Sequence, residues 1–317
     1  MAKRALITGN QGQDGYYLTQ LLQGLGYEIH GIDYPGSTDL TRFEDVERLF
    51  RQFQPNEIYH LAAFHHSSED QVSNDLEIFK KSHETNVLST AHLLEGMIRH
   101  APAARMFFAS SSLIYGNPQQ SPQNEETPFN PVCLYGLSKY QSMKLCKFFH
   151  LKHGIFVSTG ILYNHESPRR SSRFVTQKII EAAVAIKHGK KDRLVLGQLN
   201  ARVDWGFAGD TVQAMHQILQ LDQPGTFVVA TGVAHTILDF DQEAFQLLDL
   251  DWKKFVFENP ALLTREKRSA LIGNTQKLRK WTDWKPETSF SELVKMMIEC
   301  EMRNYESKKT TCFRTHI

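Results

Sequence analysis

Short apolar runs alternate with amphipathic segments along the first half of the chain. Residues 16–25 repeat leucine at helical spacing and predict a helix with one buried face. The apolar runs are too short for helices and predict buried strands instead. These strands are expected at residues 5–7, 27–32, 57–63, 106–108 and 155–161. Strands that alternate with helices in this way are typical of a parallel α/β sheet.

A glycine-rich turn joins the first predicted strand to the first predicted helix. Gly9 would make the tight turn, Gly12 would let the backbone approach a pyrophosphate, and Gly15 would let the helix pack on the strand. The helix N-terminus would then face the phosphates. The sequence therefore predicts a dinucleotide site with these contacts: Gly9, Gln11, Gly12, Gln13, Asp14 and Gly15.

The residue that ends the second predicted strand is acidic. Asp33 lies where a carboxylate accepts hydrogen bonds from the adenosine ribose hydroxyls and repels a 2′-phosphate. No arginine follows it closely, so NAD is favoured as the cofactor and NADP stays possible. The alternative is that Asp33 is an ordinary turn residue before Tyr34. Further cofactor contacts are expected in the next two strand-end segments, at Asp39, Leu40, Leu61, Ala62 and Ala63.

Composition narrows the class of protein. The chain has 317 residues, 41% hydrophobic and 22% charged, as in soluble globular proteins, and its net charge of +1 indicates no nucleic-acid or membrane partner. Four scattered cysteines without a C-x-x-C motif predict reduced thiols and a cytoplasmic location. The pair His65 and His66 could hold a metal, but no third ligand has suitable spacing. We favour a loop over the cofactor and predict no metal.

Three residues are candidates for catalysis. Tyr135 and Lys139 are four positions apart and share one helical face, where the lysine cation should lower the tyrosine pKa. Ser111 follows the apolar run at residues 106–108 and could hold a substrate oxygen against Tyr135. The three residues predict proton transfer beside a carbonyl or an alcohol, as hydride chemistry requires.

Six motifs spread over nearly the whole chain resemble those of the extended short-chain dehydrogenases/reductases, the NAD-dependent epimerase/dehydratase superfamily. Within it the resemblance is greatest to the GDP-mannose 4,6-dehydratases, and the run at residues 164–170 is the most specific. The motifs are Thr8-Gly9-x-x-Gly12-Gln13-Asp14-Gly15-x-Tyr17-Leu18, Tyr135-Gly136-x-x-Lys139, Asn164-His165-Glu166-Ser167-Pro168-Arg169-Arg170, Phe174-Val175-Thr176-x-Lys178-Ile179, Asp204-Trp205-Gly206 and Trp284-Lys285-Pro286.

The resemblance implies roles for particular residues. Ser111 takes the position of the catalytic Thr or Ser, Tyr135 is the acid/base, and Lys139 binds the nicotinamide ribose. A GDP-sugar would be bound by Ser112, Asn164, Val175, Lys178, Arg202, Arg265 and Arg268. Asn164 would contact the diphosphate, and Val175 and Lys178 would hold the guanine. His165 and Glu166 are an acid/base pair or, as we favour, residues that shape the turn.

The resemblance also implies an architecture. We predict an α/β fold with a doubly wound parallel sheet of the Rossmann type and a smaller C-terminal substrate lobe. The cofactor domain is expected over residues 1–163. The substrate lobe is expected mainly over residues 164–307, with some segments returning to the first domain, and residues 308–317 are expected to be a disordered tail. Family members pair through the helix that bears Tyr135, so a homodimer or homotetramer is expected.

Three departures from the dehydratase pattern bear on the reaction. The dehydratases carry a Glu two positions after the catalytic Thr or Ser, where this chain has Leu113, which cannot move a proton. The Arg before the Asp-Trp pair is displaced by one position, to Arg202, with Val203 in its place. The connection after Asp33 is short and lacks a helix and a strand, as in 4-keto-sugar reductases.

These departures favour oxidoreduction at C4 of a GDP-linked hexose without dehydration. The reaction would be reduction of a 4-keto sugar or oxidation followed by epimerisation, and we favour the reductase because the missing segment is the larger change. The alternative is a GDP-mannose 4,6-dehydratase whose acid is Glu125 or Glu126. A second alternative is a non-catalytic dinucleotide-binding protein.

Overall fold

A computed structural model describes residues 2–34, 36, 38–65, 74–262 and 270–314, with side chains described as far as residue 307. The strands are β1 (Arg4–Thr8), β2 (Glu28–Ile32), β3 (Glu57–His60), β4 (Arg105–Ser111), β5 (Phe156–Leu162), β6 (Asn164–Glu166), β7 (Leu194–Leu196), β8 (Arg202–Phe207), β9 (Thr226–Val229), β10 (Ala234–Thr236) and β11 (Val256–Glu258). The helices are α1 (Gln13–Gly24), α2 (Phe43–Phe53), α3 (Asp75–Ser82), α4 (Ser89–His100), α5 (Leu134–His153), α6 (Val175–Lys187), α7 (Ala208–Gln220), α8 (Ile237–Gln246), α9 (Gln276–Trp281) and α10 (Phe290–Arg314).

Six parallel strands form the main sheet in the order β2-β1-β3-β4-β5-β9. All four residues of β3 and the middle five of β4 are buried, as expected where both faces of a parallel sheet are covered. Among the described residues no strand lies outside β2, so the sheet is one strand shorter than the usual Rossmann order on that side. The short connection was predicted to lack a helix and a strand, and neither is present among the described residues.

Hydrophobic cores cover both faces of this sheet, which confirms the doubly wound α/β prediction. Leu6 of β1 belongs to the core that holds residues of α2, α4 and α5. Ala5 and Ile7 belong to the opposite core, with residues of α1 and α7. Side chains that alternate along one strand therefore enter different cores, as the pleat of a strand requires.

The later part of the chain builds a third core from α6, α8 and α10, together with β7 and β11. Two elements of this part, α7 and β9, instead pack on or extend the main sheet. Helix α10 continues to Arg314, where the sequence predicted a disordered tail from residue 308. The residues from 299 to 309 are rich in Glu and Lys, which favour helix, so propensity continues the last helix into the start of the predicted tail.

No helix in the described part of the chain is both long and apolar enough to cross a membrane.

Candidate active site

The glycine turn after β1 is a cradle that larger residues could not form. Gly9 has a φ of 75°, and its N–H donates to the Ile32 carbonyl at 2.6 Å. A Cβ on Gly15 would lie 2.2 Å from the Gly9 carbonyl oxygen. The chain therefore turns sharply and lays the start of α1 directly against it, as a pyrophosphate site requires. The glycines present fit a dinucleotide.

The other predicted cofactor residues gather at the carboxyl ends of β1, β2 and β3. The Gln11 N–H donates to an oxygen of Asp33 at 3.0 Å, which joins the end of β2 to the glycine turn. The Leu61 and Ala62 N–H groups donate to the carbonyl and hydroxyl oxygens of Thr8 at 3.2 and 3.1 Å. This edge, where strand order reverses around β1 and β3, is where open α/β sheets bind nucleotides.

Asp39 and Leu40 lie further along, before α2. The Asp39 carboxylate accepts hydrogen bonds from the N–H and the hydroxyl of Thr41, at 2.9 and 2.7 Å. The Leu40 carbonyl accepts a hydrogen bond from His92 of α4 at 2.9 Å. The structure thus gives both residues a part in holding the short connection, and their contact with a cofactor stays a prediction.

Ser111, Tyr135 and Lys139 are brought together where β4 meets α5. Ser111 ends β4, and its hydroxyl oxygen accepts the Leu113 N–H at 3.2 Å. The Lys139 ammonium is buried, donates to the Ala109 carbonyl at 2.9 Å and lies 5.8 Å from the centre of the Tyr135 ring. The lysine thus joins Tyr135 and its helix to the end of the strand, two residues before Ser111.

The pKa shifts differ from the expectation that Lys139 lowers the pKa of Tyr135. Burial raises the pKa of Tyr135, and the carboxylate of Asp14 raises it further, while Arg170 acts in the opposite direction. Burial lowers the pKa of Lys139 to about 8. The expectation considered only the attraction between the Lys139 cation and the Tyr135 phenolate, whereas removal from water disfavours the charged form of both groups.

A histidine that the sequence did not place in the chemistry lies against Tyr135. The rings of His65 and Tyr135 meet edge to face with centroids 4.7 Å apart, and the Phe174 ring is 5.5 Å from His65 on another side. The only signal in the sequence was the His65-His66 pair, and His66 lies outside the described residues. No group of three His, Cys, Asp or Glu among the described residues could hold a metal.

A second unforeseen contact joins the glycine turn to β6. His165 Nε2 lies 2.9 Å from both carboxylate oxygens of Asp14, and its Nδ1 lies 2.7 Å from the Tyr163 carbonyl. Burial raises the pKa of Asp14, but the charge and hydrogen bond of His165 outweigh it and lower that pKa. Burial likewise lowers the pKa of His165, and Asp14 more than reverses this. The Gln13 amide adds bonds to the His165 carbonyl at 2.9 Å and the Ser167 hydroxyl at 2.8 Å.

The turn after β6 is held by Glu166, as we favoured. Its buried carboxylate accepts from the Thr176 hydroxyl at 2.6 Å and pairs with Arg170 at 3.0 Å. An acid/base role for the His165–Glu166 pair is thus unsupported, because each residue has a separate partner.

The predicted substrate residues fall into four groups. Ser112 is buried in the turn after β4, whereas Asn164 and Arg202 are exposed on the adjacent strands β6 and β8. Val175 and Lys178 lie in the first turn of α6. Arg265 and Arg268 lie outside the described residues. The structure thus places Asn164 and Arg202 on neighbouring strands, with Arg202 three residues before Trp205, the register partner of Asn164. Val175 and Lys178 share one helix end.

Glu125 and Glu126, the alternative acids for a dehydratase, differ in their surroundings. The Glu125 carboxylate accepts the Val228 N–H of β9 at 2.7 Å, so it is engaged at the edge of the main sheet. Glu126 is exposed. Neither residue is described in contact with Tyr135, and Leu113 occupies the turn directly after Ser111.

Comparison with known proteins supplies the family context. The model of the family described as GDP-mannose 4,6 dehydratase matches residues 36–297. The protein "GDP-mannose 4,6 dehydratase 2" of Arabidopsis thaliana is 35% identical over 97% of this chain and 89% of its own length.

Solved structures agree in fold. The RMD of Pseudomonas aeruginosa, solved in complex with NADPH, is similar with a TM-score of 0.83 at 20% identity, over 96% of this chain and 100% of that one. The UDP-glucose 4-epimerase of Thermus thermophilus, solved in complex with NAD, gives a TM-score of 0.81 at 22% identity, over 94% and 98% of the two chains. At these identities the likeness concerns the fold alone.

Proposed function

Because the chain belongs to the GDP-mannose 4,6-dehydratase family of NAD(P)-dependent nucleotide-sugar enzymes, we propose that it oxidises GDP-mannose at C4 and eliminates water across C5 and C6. The observation that carries the proposal is the match to a dehydratase along 97% of this chain at 35% identity. The residues of the glycine turn and of the Ser111, Tyr135 and Lys139 cluster support the redox part of it.

The proposed first step is oxidation at C4. Tyr135 would take the proton of the C4 hydroxyl, Ser111 would hold that oxygen, and Lys139 would hold the cofactor ribose. A bound NAD would accept the hydride that leaves C4. Burial raises the pKa of Tyr135, so the phenol is neutral before the substrate and the cofactor bind, and a positive charge brought near it would favour the phenolate.

The GDP part would lie along the second lobe. We propose that Val175 and Lys178 at the start of α6 contact the guanine, and that Asn164 and Arg202 on β6 and β8 contact the diphosphate. The exposure of Asn164 and Arg202 supports this assignment, because a diphosphate needs accessible donors. Ser112, Arg265 and Arg268 stay predicted substrate contacts.

A second candidate is oxidoreduction at C4 without dehydration, as a 4-keto-sugar reductase or an epimerase. Leu113 favours it, because leucine stands where the dehydratases carry a Glu and elimination needs a group that moves protons. The engagement of Glu125 with β9 also favours it, since that carboxylate is not available to the sugar.

Incubation of the protein with GDP-mannose and NAD, followed by mass spectrometry of the nucleotide sugar, tests the proposal. A product lighter by one water is expected. A product of unchanged mass, or turnover only with a 4-keto sugar and reduced cofactor, would overturn the dehydratase proposal in favour of the second candidate. A parallel reaction with NADP tests the preference for NAD.

A further inference from the structure

Elimination of water from the sugar requires a second group that carries protons, and the loop after β3 offers one. Oxidation at C4 makes the C5 proton acidic, because the resulting carbanion is conjugated with the C4 carbonyl. A base must then take that proton, and an acid must protonate the C6 oxygen as it leaves. Tyr135 is already assigned to the oxygen at C4, so another residue is needed.

The residue before His65 is joined to the helix of Tyr135 by a chain of hydrogen bonds. The Asn86 side chain, which is buried, accepts the Phe64 N–H at 2.7 Å and donates to the Phe64 carbonyl at 3.1 Å. The same amide donates to the Ser138 hydroxyl at 2.9 Å, and that hydroxyl donates to the Tyr135 carbonyl at 2.8 Å. The main chain at the residue before His65 is thus fixed to the first turns of α5, next to Tyr135.

The rings around His65 define its setting. The imidazole meets the Tyr135 ring at 4.7 Å and the Phe174 ring at 5.5 Å, and the Arg170 guanidinium lies 3.4 Å from the centre of the Phe174 ring on the lobe side. Tyr135 belongs to α5 of the first domain and Phe174 precedes α6 of the second lobe. His65 therefore lies between the two parts of the chain, beside the tyrosine of the redox cluster.

The other described groups that could exchange protons near this place have different tasks. Asp14 is paired with His165. Glu166 binds Thr176 and Arg170. The Cys133 sulfur accepts the Gly136 N–H at 3.4 Å and caps α5. Imidazole is also the side chain best suited to accept and donate protons near neutral pH.

We propose that His65 is a second catalytic acid/base of this site and transfers the proton at C5 of the sugar that is oxidised at C4. The assignment rests on the proposed redox chemistry at C4. The neutral imidazole accepts the C5 proton, and the electrons of the C5–H bond form the C5–C6 double bond as the C6–O bond breaks. The imidazolium returns that proton to the departing hydroxyl, which leaves as water. The hydride given up by C4 then returns to C6, and His65 delivers a solvent proton to C5.

The test follows C4 oxidation and C5 proton exchange separately. The wild-type protein and the variants His65→Phe and His65→Gln are incubated with GDP-mannose and NAD in heavy water. C4 oxidation is followed in a single turnover by the near-ultraviolet absorbance of reduced cofactor, and deuterium at C5 and loss of water are followed by mass spectrometry. Phenylalanine keeps the ring contacts and glutamine keeps hydrogen bonding, and neither moves a proton. His153→Phe, an exposed position on α5, is the matched control.

We expect both His65 variants to lose C5 exchange and water loss by about 10²-fold or more, and to keep C4 oxidation within about threefold. His153→Phe should match the wild type. The assignment is overturned if the variants exchange C5 normally, if C4 oxidation falls in the same proportion, or if the wild type shows no C5 exchange. Wild-type exchange at C5 without water loss would instead contradict the dehydratase proposal alone. The C5 exchange of the His65 variants would then still show whether His65 transfers the proton.

Discussion

The imidazole of His165 lies 2.9 Å from both carboxylate oxygens of Asp14, and this contact joins β6 to the first turn of α1. The other ring nitrogen faces the Tyr163 carbonyl, so both partners of His165 are acceptors and the ring must donate from both nitrogens. His165 is therefore an imidazolium, and the pair is a partly buried ion pair between the glycine turn and the predicted substrate strand.

Replacing His165 by glutamine should destabilise the protein by about 2 to 4 kcal/mol near pH 6, because the Asp14 charge loses its partner. The pKa of His165 is raised in the folded state, so its contribution is complete below its unfolded pKa and disappears as the pH rises through the folded value. Urea unfolding at several pH values measures this difference. A wild-type advantage that grows with rising pH would contradict the ion pair, and His30→Gln, at an exposed position on β2, is the control.

Replacing glycine by alanine should have opposite effects at two positions of α1. Gly15→Ala places a Cβ 2.2 Å from the Gly9 carbonyl oxygen and 2.3 Å from the Asn10 Cα, so the turn must open. We expect cofactor binding to fall by about tenfold or more, which corresponds to about 1.4 kcal/mol. Gly24→Ala meets nothing within 4 Å and should stabilise the helix by about 0.5 to 1 kcal/mol. Cofactor titration and thermal unfolding of both variants check this contrast, and normal binding by Gly15→Ala would refute the role of the cradle.

The features that the sequence predicted well are those encoded in short stretches. The parallel strands follow from apolar runs, and the glycine turn from residues within one βα unit. Ser111, Tyr135 and Lys139 are predicted as a site because two of them share one helix turn and the third follows a strand. The contact of Asp14 with His165 joins residues 151 positions apart, which no local pattern encodes. The position of His65 and the raised pKa of Tyr135 likewise depend on burial and packing, which appear only once the chain is folded.

Asp33 should set the preference between the two dinucleotides. Its carboxylate accepts the Gln11 N–H at 3.0 Å at the end of β2, where a 2′-phosphate would meet a like charge. Asp33→Asn keeps a hydrogen-bond acceptor and removes the charge, so we expect the ratio of NADPH to NADH affinity to rise by about tenfold. Fluorescence titration with both cofactors measures it. The same change at Asp192, in the exposed turn after α6, should leave the ratio unaltered. Equal ratios in wild type and Asp33→Asn would rule out this role.

We propose that the chain self-associates through α5. Leu137, Phe148 and Leu151 are 43%, 54% and 71% exposed on one side of this helix, an unusual run of accessible apolar side chains. Replacing both Phe148 and Leu151 by aspartate should convert a dimer or tetramer into smaller species, as measured by light scattering after size-exclusion chromatography. Val233→Asp, at an exposed apolar position between β9 and β10, serves as the control. A monomeric wild type, or an unchanged mass of the double variant, would exclude this interface.

Tyr135→Phe distinguishes an enzyme from a protein that only binds a dinucleotide. The variant keeps the ring that packs against His65 and removes the hydroxyl that would take the C4 proton. Turnover of the nucleotide sugar should fall by about 10² to 10⁴-fold, the usual contribution of a general acid/base, while cofactor affinity stays unchanged. Tyr140→Phe, five residues further along α5 and partly buried in the core on that side of the sheet, should leave turnover intact. Activity that survives Tyr135→Phe would place the proton transfer on another group, and affinity lost together with activity would mean that Tyr135 acts through binding.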